Sequence, residues 1–152
     1  MEVDSREIIT GIRKGIYKYL GHGSGRVVFD LNNGNIVKMA IHNRGMAQNQ
    51  VEHRISCSDT SELFAKVLSA SENYMFLIME KAEKIRDMSY VWNYFDVENN
   101  RQLKEKLELE GIADKYNLIL SDLKRHVNWG KRGGKAVIID YGFTKNVRRR
   151  FY

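Results

Sequence analysis

The sequence predicts an α+β fold: a five-stranded antiparallel sheet with one helix, then a reduced, mainly helical part that carries a polar loop and a β-hairpin. Three observations carry this reading. The chain opens with short β-branched and aromatic runs joined by Gly- and Asn-rich links, the pattern of an antiparallel meander. One stretch, residues 43–56, interrupts the strands with apolar residues at helical spacing. The second half contains a strongly helix-favouring run, residues 98–110, and closes on two short runs flanking Gly133-Gly134.

Each element has its own local reason. IYKYL (residues 16–20) reads as the first strand, GHGSG as a loop, and RVVFDL (26–31) as the second strand. Asn33-Gly34 is a tight-turn signal leading into a third strand, NIVKMAI (35–41). Ala47, Val51 and Ile55 give residues 43–56 one apolar stripe. FAKVLSA and YMFLIME are strands four and five, turned at Ser71-Glu72-Asn73. The second of these is almost wholly apolar, as in a strand buried on both faces. Residues 83–96 fit no single period, with Trp92, Tyr94 and Phe95 expected to pack. Gly111 is a natural stop for the helix before it. NLIL is a short apolar strand or helix end, SDLKRHVNWG a polar loop, and WGKR and KAVIID form the closing hairpin. The 152 residues are expected to make one domain, with an N-terminal part at residues 13–80 and a C-terminal part at 84–152.

Composition narrows the function classes. The hydrophobic content of 43% supports a real core, and no apolar run approaches the ~20 residues of a membrane span. The charged start, MEVDSREIITGIRKG, lacks the apolar middle of a secretory signal. A single cysteine, Cys57, excludes an internal disulfide and fits a reducing cytoplasm, with the thiol expected to be a small packed side chain. The formal net charge of +6 suits nucleic acid, acidic partners or anionic ligands such as nucleotides. Part of it sits in the last residues, KNVRRRFY, which read as a solvated end or as a basic binding tail. There is no proline, so turns rest on Gly, Asn, Asp and Ser.

The motifs then point to phosphate chemistry. Gly21-His22-Gly23-Ser24-Gly25 lies between two strands, so it does not deliver phosphate to a helix N-terminus as a dinucleotide fingerprint does. A glycine loop capping a hairpin can instead close its backbone over phosphates. Lys38 lies in the apolar strand IVKMA, where a buried ammonium needs a partner, and Glu52 on the next helix is the candidate. Asp122 and Asn128 share one polar loop, and Asp140 follows an apolar strand in IIDYG. Carboxylate and amide oxygens so placed suit Mg²⁺, and a further carboxylate can accept a proton from an attacking hydroxyl.

Together these residues resemble the protein-kinase-like superfamily, including aminoglycoside-phosphotransferase-like and compact phage or bacterial kinase-like proteins. The resemblance runs from Tyr19 to Gly142, through LGHGSGRVVF, IVKMA, QNQVEHR, MEKAE, SDLKRHVNWG and DYG. It implies an ATP- and Mg²⁺-dependent phosphotransferase acting on a hydroxyl of a protein or small molecule. ATP would lie between two lobes. Gly21, Gly23, Ser24 and Gly25 would cover the phosphates and Lys38 would clamp them. Glu52 would orient Lys38, and backbone groups at Glu80 and Ala82 would meet adenine. Asp122 would position the hydroxyl or act as base, and Asn128 and Asp140 would hold Mg²⁺. Lys124 would add positive charge near the phosphoryl group.

The chain departs from the family pattern in three ways. Leu120-Ser121 stands where His-Arg precedes the catalytic Asp. Five residues, LKRHV, separate Asp122 from Asn128, where the pattern has four. Ten residues follow Gly142, so no activation segment or large helical subdomain is expected within the sequence. An inactive nucleotide-binding module that holds a partner protein, and a basic nucleic-acid-binding protein, are the other readings. Apolar surface left by a small C-terminal part would favour a homodimer or a partner protein.

Overall fold

The computed structural model describes residues 3–152. It divides the chain into two compact units, Met1–Asp59 with Ala65–Lys81, and Thr60–Phe64 with Ala82–Tyr152. Among the described residues, no helix is long and apolar enough to cross a membrane.

The first unit is built on the expected five-stranded antiparallel sheet, with spatial order β1-β2-β3-β5-β4. Its strands are β1 (Lys18–His22), β2 (Arg26–Asp30), β3 (Asn35–Ala40), β4 (Val67–Ala70) and β5 (Phe76–Glu80). The fourth is shorter than FAKVLSA suggests. Phe64 leaves this sheet and instead bridges Ile138 of the second unit. Strand β3 lies central, Lys38 pairing with Val28 on one side and Leu77 on the other. Alternation then decides which residues face which layer. Val37 joins Phe76 and Ile78 against Ile8 of helix α1 (Ser5–Arg13). Lys38, one residue on, takes the opposite face, where helix α2 (Asn43–Ser58) lies.

Helix α1 is an addition to the expected elements. Asp4 caps it by accepting from the Glu7 amide at 3.1 Å, and Ile8 and Ile12, one turn apart, pack on the sheet. Helix α2 turns inward a face that is largely polar: Gly45, Gln48, Asn49 and Glu52 are buried beside Val51 and Ile55. Ala47, expected in the apolar stripe, is only half-buried. Polar contacts with β2 and β3 explain the rotation. Cys57 is exposed, which corrects its reading as a packed side chain.

The second unit holds a three-stranded antiparallel sheet, β6 (Glu83–Lys84), β7 (Trp129–Arg132) and β8 (Lys135–Ile138). The expected hairpin turns at Gly133 and Gly134, whose φ values of +56° and +77° are those a tight primed turn requires. Residues 83–96 resolve into β6 and helix α3 (Ser89–Phe95). Helix α4 (Asn100–Glu110) starts on the Asn99 cap and ends at Gly111, after which a short helix α5 (Ile112–Tyr116) continues the chain. The basic end is helix α6 (Lys145–Phe151), capped by Thr144 and anchored by buried Val147. It is a docked helix, with Arg148, Arg149 and Arg150 exposed upon it.

Candidate functional site

Four sequence-predicted elements meet in the first unit. Strands β1 and β2 present the glycine loop, β3 presents Lys38, and α2 presents Glu52. Lys38 Nζ donates to both Glu52 oxygens, at 2.9 and 3.1 Å. The side chains are almost fully withdrawn from water, with Glu52 at 0% and Lys38 at 4% exposure. Arg26, the first residue of β2, joins them: Nη1 and Nη2 reach the same two oxygens at 2.6 and 3.2 Å. Burial disfavours the Glu52 carboxylate, but the charges of Arg26 and Lys38 and their hydrogen bonds outweigh it and hold its pKa at about 2. The carboxylate is therefore ionised.

Asn49 completes this network. It is fully buried, accepts from Arg26 Nη1 at 3.1 Å, and donates to the Tyr74 carbonyl at 2.8 Å and the Lys38 carbonyl at 3.3 Å. Sequence reasoning did not find Arg26 or Asn49. Each reads locally as an ordinary strand-start or helix residue, and only the tertiary arrangement turns both toward Glu52.

The glycine loop is tied to the start of α2. A Cβ at Gly45 would lie 2.0 Å from the Gly25 carbonyl oxygen, so the two backbones touch. The Gly25 carbonyl accepts from the Ile41 amide at 2.9 Å, and Arg44 Nε donates to the Ser24 carbonyl at 3.1 Å. Gly21 and His22 lie within β1 itself. The Gly23 amide donates to the Arg26 carbonyl at 2.9 Å, so that N–H closes the turn. His22, Gly23 and Ser24 are exposed.

The two residues expected to meet adenine fall on either side of the division between units, Glu80 in the first and Ala82 in the second. The Glu80 amide donates to the Lys66 carbonyl at 2.9 Å, and its side chain accepts from the Lys66 amide at the same distance. Ala82 packs its methyl group where a Cβ at Gly130 would fall, 2.7 Å away.

In the second unit the polar loop folds as two successive 3₁₀ turns, Leu120–Lys124 and His126–Asn128. Asn128 is buried and its Nδ2 donates to the Asp122 carbonyl at 2.8 Å. Its own carbonyl accepts from the Ile139 amide at 2.9 Å, one residue from Asp140. Trp129, buried after the loop, donates its indole N–H to the Leu123 carbonyl at 2.9 Å and packs edge-on to Phe95. Tyr141 packs its ring on Phe64, with centroids 4.7 Å apart.

Asp122, Asn128 and Asp140 are thus gathered by one loop and one strand end. Asp122 is half-buried and Asp140 exposed. Burial raises the Asp122 pKa from its ordinary value, and the charge of Asp140 pushes the same way against Arg125 and Arg148. Lys124 is exposed at the end of the first 3₁₀ turn. Because Asn128 Nδ2 is spent on Asp122, its Oδ1 is the side-chain atom left for a ligand, and oxygen is what a hard cation takes. Among the described residues, no three His, Cys, Asp or Glu side chains cluster to hold a metal alone. The donor set fits a magnesium ion that arrives with a phosphate ligand, since Mg²⁺ keeps waters and shares substrate oxygens.

The chain resembles solved structures of APH(2")-IIa. The streptomycin–ATP–APH(2")-IIa ternary complex is 17% identical, with a TM-score of 0.48, over 93% of this chain and 71% of that one. The gentamicin–APH(2")-IIa complex is 18% identical, with a TM-score of 0.46, over the same shares of the two chains. No protein-family model and no curated protein matches the sequence.

Proposed function

We propose that this chain is an ATP- and Mg²⁺-dependent phosphotransferase that moves the γ-phosphoryl group to a hydroxyl acceptor. The observation that carries the reading is the buried, ionised Lys38–Glu52 pair beside a hairpin glycine loop. A lysine withdrawn from water and fixed by a carboxylate is costly to build, and its use is to present a localised positive charge to a polyanion. The sequence resemblance to protein-kinase-like proteins supports the same assignment.

Bound ATP would supply the transferable phosphoryl group and, with Mg²⁺, its charge neutralisation. Lys38 binds phosphate oxygens and Glu52 keeps its ammonium in place. The glycine loop excludes water from the phosphates. Glu80 and Ala82 offer backbone groups to the adenine. Asn128 Oδ1 and Asp140 hold the metal. Asp122, with its raised pKa, orients the acceptor hydroxyl and takes its proton, and Lys124 adds positive charge nearby. Catalysis of this kind is positioning and electrostatics rather than covalent chemistry.

Incubating the full chain with γ-labelled ATP and a panel of hydroxyl acceptors, itself included, tests the reading. Label transfer that requires Mg²⁺ and is lost in Lys38→Ala and Asp122→Asn supports it. Transfer that persists in both variants, or none from the parent with any acceptor, rejects it.

A further inference from the structure

Resting on that reading, we propose that Arg26 is a positioning residue: it fixes the plane of the Glu52 carboxylate from β2 so that Lys38 is held in one place on β3. Charge balance at Glu52 needs one cation, and Lys38 supplies it. The second cation is buried at 5% exposure, where desolvation is expensive. Its geometry accounts for that expense. The guanidinium meets the carboxylate with two nitrogens on two oxygens, at 2.6 and 3.2 Å. This fork sets the plane of its partner, which a single ammonium on a four-carbon stem cannot do.

The fork is itself anchored. Asn49 accepts from Arg26 at 3.1 Å and donates to the Lys38 carbonyl at 3.3 Å, so the side chain of one cation is tied to the backbone of the other. Arg26 also follows Gly25 directly, the glycine that abuts Gly45 of α2. The end of the glycine loop and the α2 carboxylate are therefore joined through Arg26, and Asn49 carries the link on to the backbone of the β3 lysine. Helix α2 is locked onto the lysine by β2 as well as by the lysine itself.

The test combines carboxyl-carbon NMR titration of Glu52 with steady-state kinetics on the full chain, comparing parent, Arg26→Met and Arg26→Lys. The expected result is that Arg26→Met raises the Glu52 midpoint and lowers kcat on the order of 10²-fold, the cost of a misplaced reacting group. KM for Mg-ATP should move far less. Arg26→Lys should recover the charge and hence the midpoint, but only part of kcat, because it lacks the fork. A variant Arg26→Met with parental kcat, or an Arg26→Lys with full kcat, overturns the positioning role. If Arg26→Met does not fold, the Arg26→Lys comparison of kcat decides alone. A parent that neither binds nor turns over Mg-ATP sinks the functional reading, whereas a working parent matched by both variants sinks only the assignment of Arg26.

Discussion

Gly45 of helix α2 presses its backbone against Gly25 of the glycine loop, so closely that a Cβ at position 45 would lie 2.0 Å from the Gly25 carbonyl oxygen and 3.1 Å from Ala40 Cα. Both neighbours are backbone, so a side chain has no flexible atom to push aside. Gly45→Ala should destabilise the fold by about 1–3 kcal/mol, the usual cost of overpacking. It should also weaken nucleotide binding, because relief requires the loop and helix to part. Urea unfolding together with ATP titration checks both effects. A variant as stable as the parent would show that the contact can relax.

Glu52 should make the protein acid-sensitive in a defined window. Its folded pKa is depressed to about 2 from an ordinary value of 4.5. A depressed carboxylate contributes stability that is fully present above the unfolded pKa and is lost as pH falls through the folded one. The loss should therefore develop below about pH 4.5 and continue toward pH 2. Glu52→Gln removes this dependence and leaves Arg26 and Lys38 buried without their shared carboxylate. Breaking a buried pair in this way costs about 3–5 kcal/mol. Urea unfolding of parent and variant at neutral and acid pH measures both the cost and the window.

Asp122 has the opposite sign. Its folded pKa is raised by burial and by Asp140, so the charged carboxylate costs the folded state stability wherever it is ionised. Asp122→Asn should raise the melting temperature of the nucleotide-free protein while abolishing phosphoryl transfer. A variant that is both less stable and still active would contradict the role given to this carboxylate. The trade is expected where a site is built for chemistry at some cost in stability.

The loop carrying Asp122 depends on Trp129. Its indole donates to the Leu123 carbonyl at 2.9 Å from a wholly buried position. Trp129→Phe keeps most of the packing on Phe95 but leaves that carbonyl without the indole, at a cost of about 1–3 kcal/mol. Amide exchange should rise first at residues 120–128, ahead of global unfolding.

Much of the fold is legible in the sequence where one local signal acts alone. Asn33-Gly34 and Gly133-Gly134 mark hairpins, and Gly111 marks a helix end, because each demands a backbone that few residues adopt. The acid and amide positions of the candidate site are legible through their order along the chain. Three features are less so. Helix α1 carries its own cap, Asp4, and the Ile8–Ile12 spacing, yet a charged, short segment is stabilised mainly by docking on Val37 and Phe76. The inward face of α2 is polar because Arg26 and Lys38 await it, which periodicity of apolar residues cannot reveal. The helix at residues 145–151 is hidden by its charge, since a single buried Val147 and the Thr144 cap hold it.

The central claim is metal-dependent nucleotide binding that uses Lys38 and Asp140. Its most direct test is the thermal unfolding of the full chain with ATP, with and without Mg²⁺, for the parent, Lys38→Ala and Asp140→Ala. The account predicts that ATP with Mg²⁺ raises the parent's melting temperature well beyond ATP alone, that Asp140→Ala erases the metal-dependent part, and that Lys38→Ala reduces the whole shift. No shift in the parent, or an Asp140→Ala variant that responds to Mg-ATP as the parent does, would contradict it.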